Sequence, residues 1–353
     1  MAAIVAIMRP MQALVTYSSE PGSVELREID QPMPDKGEVL VKVEAVGVCG
    51  SDLHMWKGPV SWPMSYPVIM GHEFAGTIAA VDAGVEQWRA GQRVACETAA
   101  KICGVCEHCR TGNYNLCPQR KGFGAVVDGA MAQYIAVRQG ILHHIPDLVS
   151  FEEAALAEPA AVAFNAVYVK SRLTPGDFVV VIGPGPIGLM VLQMVKLCTP
   201  AHVVMVGLTH DECRLEKARE FGADSIVVGD REDPVDAVNK LSDGKGAHLV
   251  LDAVGVRTTF RQSLLMVRPA GQITKIGWDK APPDHSLDPL VLKAATLQGT
   301  FSHTWTTWER VLSLMELSRI DVRAMSQSFS LEDWEQAFRT MDSLQIAKAV
   351  IVP

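Results

Sequence analysis

Between residues 13 and 48 apolar and polar positions alternate in short runs, Val24-Glu25-Leu26-Arg27 and Val39-Leu40-Val41-Lys42-Val43-Glu44-Ala45-Val46 among them. Turn residues at Pro21-Gly22, Pro32, Pro34 and Gly37 separate the runs. A period of two bounded by such turns predicts antiparallel strands. Further short strands are expected at 75–82, 92–95 and 132–137. Near Glu152 the pattern becomes Ala-rich and helical in period, and it stays so to about 170. From there the order changes again. Residues 178–182 form a continuous apolar run, 187–198 read as an apolar helix, 202–206 as a second strand and 211–221 as a charged amphipathic helix. More strands are expected at 225–228, 248–251 and 272–276. Strands alternating with helices predict a parallel sheet. Beyond about 302 the pattern predicts helices at 308–318 and 331–341 and a last strand at 348–352. No internal repeat or low-complexity stretch is present.

The chain has 353 residues, 48% of them apolar and 20% charged, which predicts one to three globular domains with ample core. The formal net charge is −8 and the pI about 5.7, the wrong sign for a general nucleic-acid or anionic-membrane role. No apolar run approaches the length of a membrane span. Residues 1–10 have no basic start and no small-residue cleavage pattern, so a short extension ahead of the strand-like sequence at Met11 is expected.

Four of the eight cysteines, Cys103, Cys106, Cys109 and Cys117, follow the spacing Cys-x2-Cys-x2-Cys-x7-Cys. Four thiolates within one short, polar, turn-forming segment suit a closed tetrahedral zinc site with arms of about 2.3 Å. The segment is expected to be a loop wrapped round an ion. Two disulfides or an iron–sulfur cluster are the rival readings. Cys96, Cys198 and Cys213 read as small hydrophobes. Nothing else indicates an oxidising compartment, and a cytoplasmic protein is expected.

Gly183-Pro-Gly185-Pro186-Ile187-Gly188 is a Gly-x-Gly-x-x-Gly turn. It follows an apolar strand and opens a helix, the context in which the pattern means dinucleotide binding. The first glycine permits the tight turn, the second lets a pyrophosphate approach the backbone, and the third lets helix pack on strand. The acidic residue that usually ends the second strand and binds the ribose is missing; Gly207 stands there, followed by Leu208-Thr209-His210-Asp211.

A second, open metal site is suggested by Cys49-Gly50-Ser51-Asp52-Leu53-His54, Gly71-His72-Glu73 and Ala157-Glu158-Pro159. Cys49, His72 and one carboxylate would supply the three protein ligands of a catalytic zinc and leave a position free. Each residue alone reads as structural or surface; the case is their joint occurrence.

With these motifs in this order, the chain resembles the zinc-containing medium-chain dehydrogenase/reductase family, nearest its polyol (sorbitol-type) and threonine dehydrogenase branches, over nearly all the sequence from Met11. The resemblance implies an α/β protein: a Rossmann dinucleotide-binding domain at 166–301, and a GroES-like, mainly-β catalytic domain built from 1–165 and 302–353 with a zinc lobe at about 96–120. It implies two zinc ions per chain, with Cys49, His72 and either Glu73 or Glu158 at the catalytic one, and NAD or NADP as cofactor. Ser51 and His54 resemble the relay that carries the substrate hydroxyl proton away while hydride goes to the nicotinamide. The implied reaction converts a secondary alcohol, expected to be a polyol or sugar alcohol, to the ketone in a homodimer or homotetramer formed edge to edge. Three positions depart from the branch patterns. Met55-Trp56 replaces a frequent Tyr-Trp, Phe301-Ser302-His303 replaces the Phe-Arg-Tyr of many polyol enzymes, and Glu158 stands where the threonine branch usually has Asp. A threonine-type amino-alcohol dehydrogenase is therefore the alternative substrate reading. A non-catalytic nucleotide-binding protein and a zinc-lobe nucleic-acid module are the alternatives of other classes. With Gly207 in place of an acid, and Thr209, His210 and Arg214 able to reach a phosphate, NADP is expected to be accepted at least comparably to NAD. Asp211 or Glu212 could fold back to replace the lost carboxylate.

Overall fold

The computed structural model describes residues 10–279 and 281–353. The expected extension at 1–10 lies, Pro10 excepted, outside the described residues. The chain divides into two compact units.

In the first unit, β1 (Pro10–Thr16) pairs antiparallel with β2 (Val24–Asp30), following the alternation in the sequence. The long β3 (Glu38–Gly47) comes next. β4 (Val68–Ile69) adds to β1, while β5 (Glu73–Val81), β6 (Arg93–Cys96), β7 (Tyr134–Arg138) and β8 (Leu142–His144) build a second sheet on β3. Val39, Val41, Val43 and Ala45 of β3 are fully buried. Alternate residues of a strand share a face, so this one stripe commits the face of β3 to the core.

In the second unit the strands are β9 (Phe178–Ile182), β10 (His202–Gly207), β11 (Ser225–Val228), β12 (Ala247–Asp252), β13 (Val267–Lys275) and β14 (Thr296–Gly299). They form one sheet in the order β11-β10-β9-β12-β13-β14, parallel throughout. Helices connect successive strands, as parallel pairing requires. Phe178, Val180, Ile182, Val204, Val206 and Val250 meet in its core. The strand order switches sides at β9, and open parallel sheets bind their ligands at such a point.

The last strands, β15 (Ser326–Ser330) and β16 (Lys348–Val352), return to the first unit, and β16 pairs antiparallel with β3. The divisions fall after Glu158 and Met325 rather than at the expected 165/166 and 301/302. Hydrogen bonds explain the difference. Asn165 Nδ2 donates to Thr300 Oγ1 at 3.1 Å and to the Ser302 carbonyl at 2.9 Å, and Gln193 exchanges two bonds with the Asp321 backbone. These tie both flanking segments to the dinucleotide unit. Short or edge elements, β4, β8, β14 and β15, carried too few residues to show a period.

Candidate metal and cofactor sites

At the end of β3 the chain turns at Cys49 into the helix Gly50–Lys57. The Cys49 N–H donates to Asp52 Oδ2 at 2.8 Å, so a buried carboxylate reaches back to close the first turn. Ser51 and His54 are three residues apart and share a face of this helix. Ser51 Oγ is buried and, among the described residues, makes no hydrogen bond. A buried unsatisfied hydroxyl costs about 1–3 kcal/mol, which a ligand oxygen would recover. His54 is exposed and meets Trp62 edge-on, with ring centres 6.5 Å apart.

His72 and Glu73 enter β5 beside the end of β3, where Glu73 pairs with Gly47. Ligand atoms of Cys49, His72 and Glu73 lie within 4.8 Å of one another. Burial alone would lower the His72 imidazole. The Cys49 sulfur bonded to it, with Asp52 and Glu158, instead raises it to about 10. That is a pocket of negative potential around one sulfur, one ring nitrogen and one carboxylate, the donor set of a zinc site with a free position. Glu158, in the helix Ala157–Phe164, is buried and stands outside that closest group, though its charge is felt at His72 and Glu73. Glu73 is also held by Lys348, with Nζ 2.8 Å from Oε1.

All eight cysteines are free thiols, which leaves no disulfide in the four-cysteine segment. Its sulfurs also lie within 4.8 Å of one another, with Cys103–Cys109 at 3.9 Å and Cys103–Cys117 at 3.6 Å. A tetrahedron with 2.3 Å arms has edges of about 3.8 Å, so zinc fits. Backbone N–H groups of Val105 and Cys106 lower Cys103 to about 6, whereas burial and its neighbouring thiols raise Cys109 to about 12. Thiols driven apart in this way share protons that a cation would displace. The segment is not all loop: helical turns form at Glu107–Arg110 and Tyr114–Leu116. The second turn anchors the lobe, because Tyr114 donates to both oxygens of buried Glu97 at 2.7 Å while His143 Nε2 lies 3.2 Å from Oε1.

In the second unit Gly183 takes φ +94°, and a side chain on Gly188 would overlap the Gly183 carbonyl. Gly185 faces open space and caps the helix Pro186–Leu197, with Pro186 and Ile187 in its first turn. This is the free N-terminus a pyrophosphate requires. Gly207 is covered: a Cβ there would lie 2.9 Å from Leu215 Cδ2 and 3.0 Å from Pro184 Cγ. Arg214 points elsewhere, with Nε and Nη2 donating to the Ile346 carbonyl at 3.2 and 3.0 Å. Asp211 is buried and accepts from the Leu208 N–H, and Glu212 is exposed. Two residues beyond Gly207, Thr209 donates to Asp230 through N–H and Oγ1, and exposed Arg231 donates to Thr209 Oγ1 at 3.2 Å.

Asp52, Lys348, Asp230, Arg231 and the Glu97–Tyr114–His143 group escaped sequence reasoning. A lysine opening the apolar 348–352 run is the one trace of any of them.

Comparison with known proteins gives the family. Residues 35–147 match the alcohol dehydrogenase GroES-like domain, and residues 186–316 match the zinc-binding dehydrogenase domain. The chain is 35% identical to the sorbitol dehydrogenase of Halalkalibacterium halodurans, over 97% of this chain and 99% of that protein. It is 37% identical to the D-arabitol-phosphate dehydrogenase of Enterococcus avium, over 90% and 91%. A zinc-binding dehydrogenase of Sinorhizobium meliloti solved with NADP superimposes with a TM-score of 0.89 at 26% identity, over 98% of this chain and 100% of that one. The chain belongs to the zinc-containing medium-chain dehydrogenase/reductase family. Within it, this is a zinc-dependent alcohol dehydrogenase of the NAD(P)-using kind. No helix among the described residues is long and apolar enough to cross a membrane.

Proposed function

We propose that this enzyme interconverts a secondary alcohol of the polyol class and its ketone. The observation that carries the reading is a three-ligand group, Cys49, His72 and Glu73, beside a buried Ser51 hydroxyl without a partner. Zinc at that group would supply Lewis acidity to an alcohol oxygen, and a nicotinamide nucleotide would supply the hydride acceptor. Ser51 accepts the hydroxyl proton as it releases its own, and His54, exposed on the same helix face, delivers that proton to water. Asp52 holds the helix start that carries them. Cys103, Cys106, Cys109 and Cys117 hold the second zinc and stabilise the fold. The cytoplasm suits thiols kept reduced for metal.

Gly183, Gly185, Pro186, Ile187 and Gly188 receive the pyrophosphate. For the ribose we propose relaxed recognition, with NADP accepted at least comparably to NAD. Gly207 offers no carboxylate to repel a 2′-phosphate, and exposed Arg231, rather than Arg214, offers it a donor. The enzyme is further proposed to be a dimer or tetramer joined through β14. That strand ends the six-stranded sheet, and Val291 and Leu292 nearby are 80% and 85% exposed. An open edge beside apolar side chains invites a second copy. Light scattering that finds a monomer refutes this.

The test is a panel of sorbitol, arabitol, their phosphates, 2,3-butanediol and threonine with each nucleotide, following reduced-nicotinamide absorbance. Fastest turnover of a polyol or polyol phosphate is expected. Threonine as the best substrate moves the enzyme to the amino-alcohol branch, and no turnover by fully zinc-loaded protein overturns the reading.

A further inference from the structure

We propose that Lys275 is a positioning residue for the dinucleotide: its ammonium fastens together the two turns that wall the crevice beside the glycine turn and keeps them shaped for the nicotinamide half. This rests on the reading of 183–188 as a dinucleotide site.

β9, β12 and β13 are neighbours in the parallel sheet, so the turns at their carboxyl ends stand side by side at the switch point. The turn after β9 is the glycine turn. The turn after β12, residues 253–255, rests against it. The Ala253 N–H donates to the Ile182 carbonyl at 3.0 Å, and a Cβ on Gly183 would overlap Val254 Cγ2. The turn after β13 rests in the same way on 253–255, since a Cβ on Gly277 would overlap the Val254 carbonyl. Gly207 ends β10 on one side of β9, where the adenosine ribose belongs. The nicotinamide half of a dinucleotide crossing the switch point then falls on the other side, over β12 and β13.

Lys275 is the last residue of β13 and pairs in register with Asp252, the last residue of β12. Lys275 Nζ donates to the Gly255 carbonyl and to the Gly277 carbonyl, each at 2.6 Å. Asp252 is fully buried, and its Oδ1 accepts from the Val254 and Gly255 N–H groups at 3.1 and 2.8 Å. Its carbonyl accepts from the Gly277 N–H at 3.0 Å. Burial pushes the Asp252 carboxyl up, while the Gly255 N–H and the Lys275 charge pull it down. The aspartate thus holds the N–H side of both turns, and the lysine holds the carbonyl side. Without the ammonium, two carbonyl oxygens converging on one point would repel each other and push the turns apart. The core does not call for a cation here. Ile273 shares the face of β13 with Lys275 and is fully buried in the apolar cluster, so the pattern breaks at the one position level with the turns.

Calorimetric titration reads nucleotide binding without turnover. Lys275→Met keeps the reach of the side chain and removes its charge. It is expected to raise Kd about tenfold for NADH and for NADPH alike, because the wall is no longer preorganised. ADP, which lacks the nicotinamide half, should bind as it does to wild type. Lys275→Arg, which keeps the cation, should restore NADH binding. Unchanged NADH affinity in folded Lys275→Met overturns the proposal. So does an equal loss for ADP, which would mark a general loosening of the unit, and so does Lys275→Arg that binds no better than Lys275→Met. Should Lys275→Met not fold, Lys275→Gln decides, since its shorter amide cannot clasp both carbonyls: weaker NADH with ADP intact supports the role, and unchanged NADH refutes it. If wild type binds neither NADH nor NADPH, the dinucleotide reading itself has failed and the proposal falls with it.

Discussion

Replacing Gly207 tests how the fold governs the choice of nucleotide. Gly207→Asp installs the carboxylate that ordinarily accepts the ribose hydroxyls and repels a 2′-phosphate. The new Cβ meets Leu215 Cδ2 at 2.9 Å and the Pro184 ring at 3.0 and 3.1 Å. Leu215 is fully buried, and Pro184 belongs to the glycine turn, so neither yields freely. Overpacking of this kind costs about 1–3 kcal/mol. In a unit of this size each kcal/mol lowers Tm by roughly 2–4 °C. Gly207→Ala carries the steric cost without the charge, so it should lose similar stability and leave the NAD-to-NADP ratio unchanged. The charge acts on the ratio. A carboxylate about 6 Å from a doubly charged phosphate in water is opposed by roughly 1.4 kcal/mol, which is tenfold. Gly207→Asp should therefore shift kcat/KM about tenfold towards NAD, mainly through KM for NADP. Thermal melts and steady-state kinetics of the three proteins with both nucleotides make the test. The reasoning is falsified if wild type already rejects NADP and Gly207→Asp leaves the ratio where it was.

Ser51→Ala should retain zinc and nucleotide binding while turnover falls about 10²–10⁴-fold, the usual worth of a positioned proton-transfer group; His54→Ala should be milder, since water can take the proton at an exposed position, and unchanged chemistry-limited turnover in Ser51→Ala would remove the relay. Elemental analysis should find two zinc ions per chain. Cys49→Ser should lose one of them and nearly all activity with the fold intact, and Cys106→Ser should lose the other and mainly stability; one zinc in carefully prepared wild type contradicts both assignments. Tyr114→Phe deletes the hydroxyl bonded to both Glu97 oxygens and leaves that carboxylate buried. A charged hydrogen bond of this kind contributes about 1.5–3 kcal/mol, so denaturant unfolding should weaken by that amount, and equal stability would show that Glu97 does not anchor the lobe.

Chemistry that depends on local spacing was legible in the order of residues alone. The four cysteines fall within one short segment, so their order already implied a shared ion. The glycine turn lies between an apolar strand and a helix, and its neighbours declare its context. Ser51 and His54 follow Cys49 at helical spacing. The alternation in 24–30 and 38–47 and the apolar run at 178–182 became strands at or near the expected bounds. Pairings between distant segments were not legible. Lys348 and Glu73 stand far apart in sequence and meet only because β16 and β5 flank β3 at Gly47. Glu97 finds Tyr114 and His143 through the lobe and β8. Arg214, in reach of the ribose when counted along the chain, turns to the Ile346 carbonyl because a C-terminal segment packs there. Gly207 read as a missing acid, yet Pro184 and Leu215 cover the place where its side chain would start. Sequence records what neighbours along a chain can do together. Which buried charge meets which, and which side chain has room, follows from strand register and packing, and those are set only when the whole chain has folded.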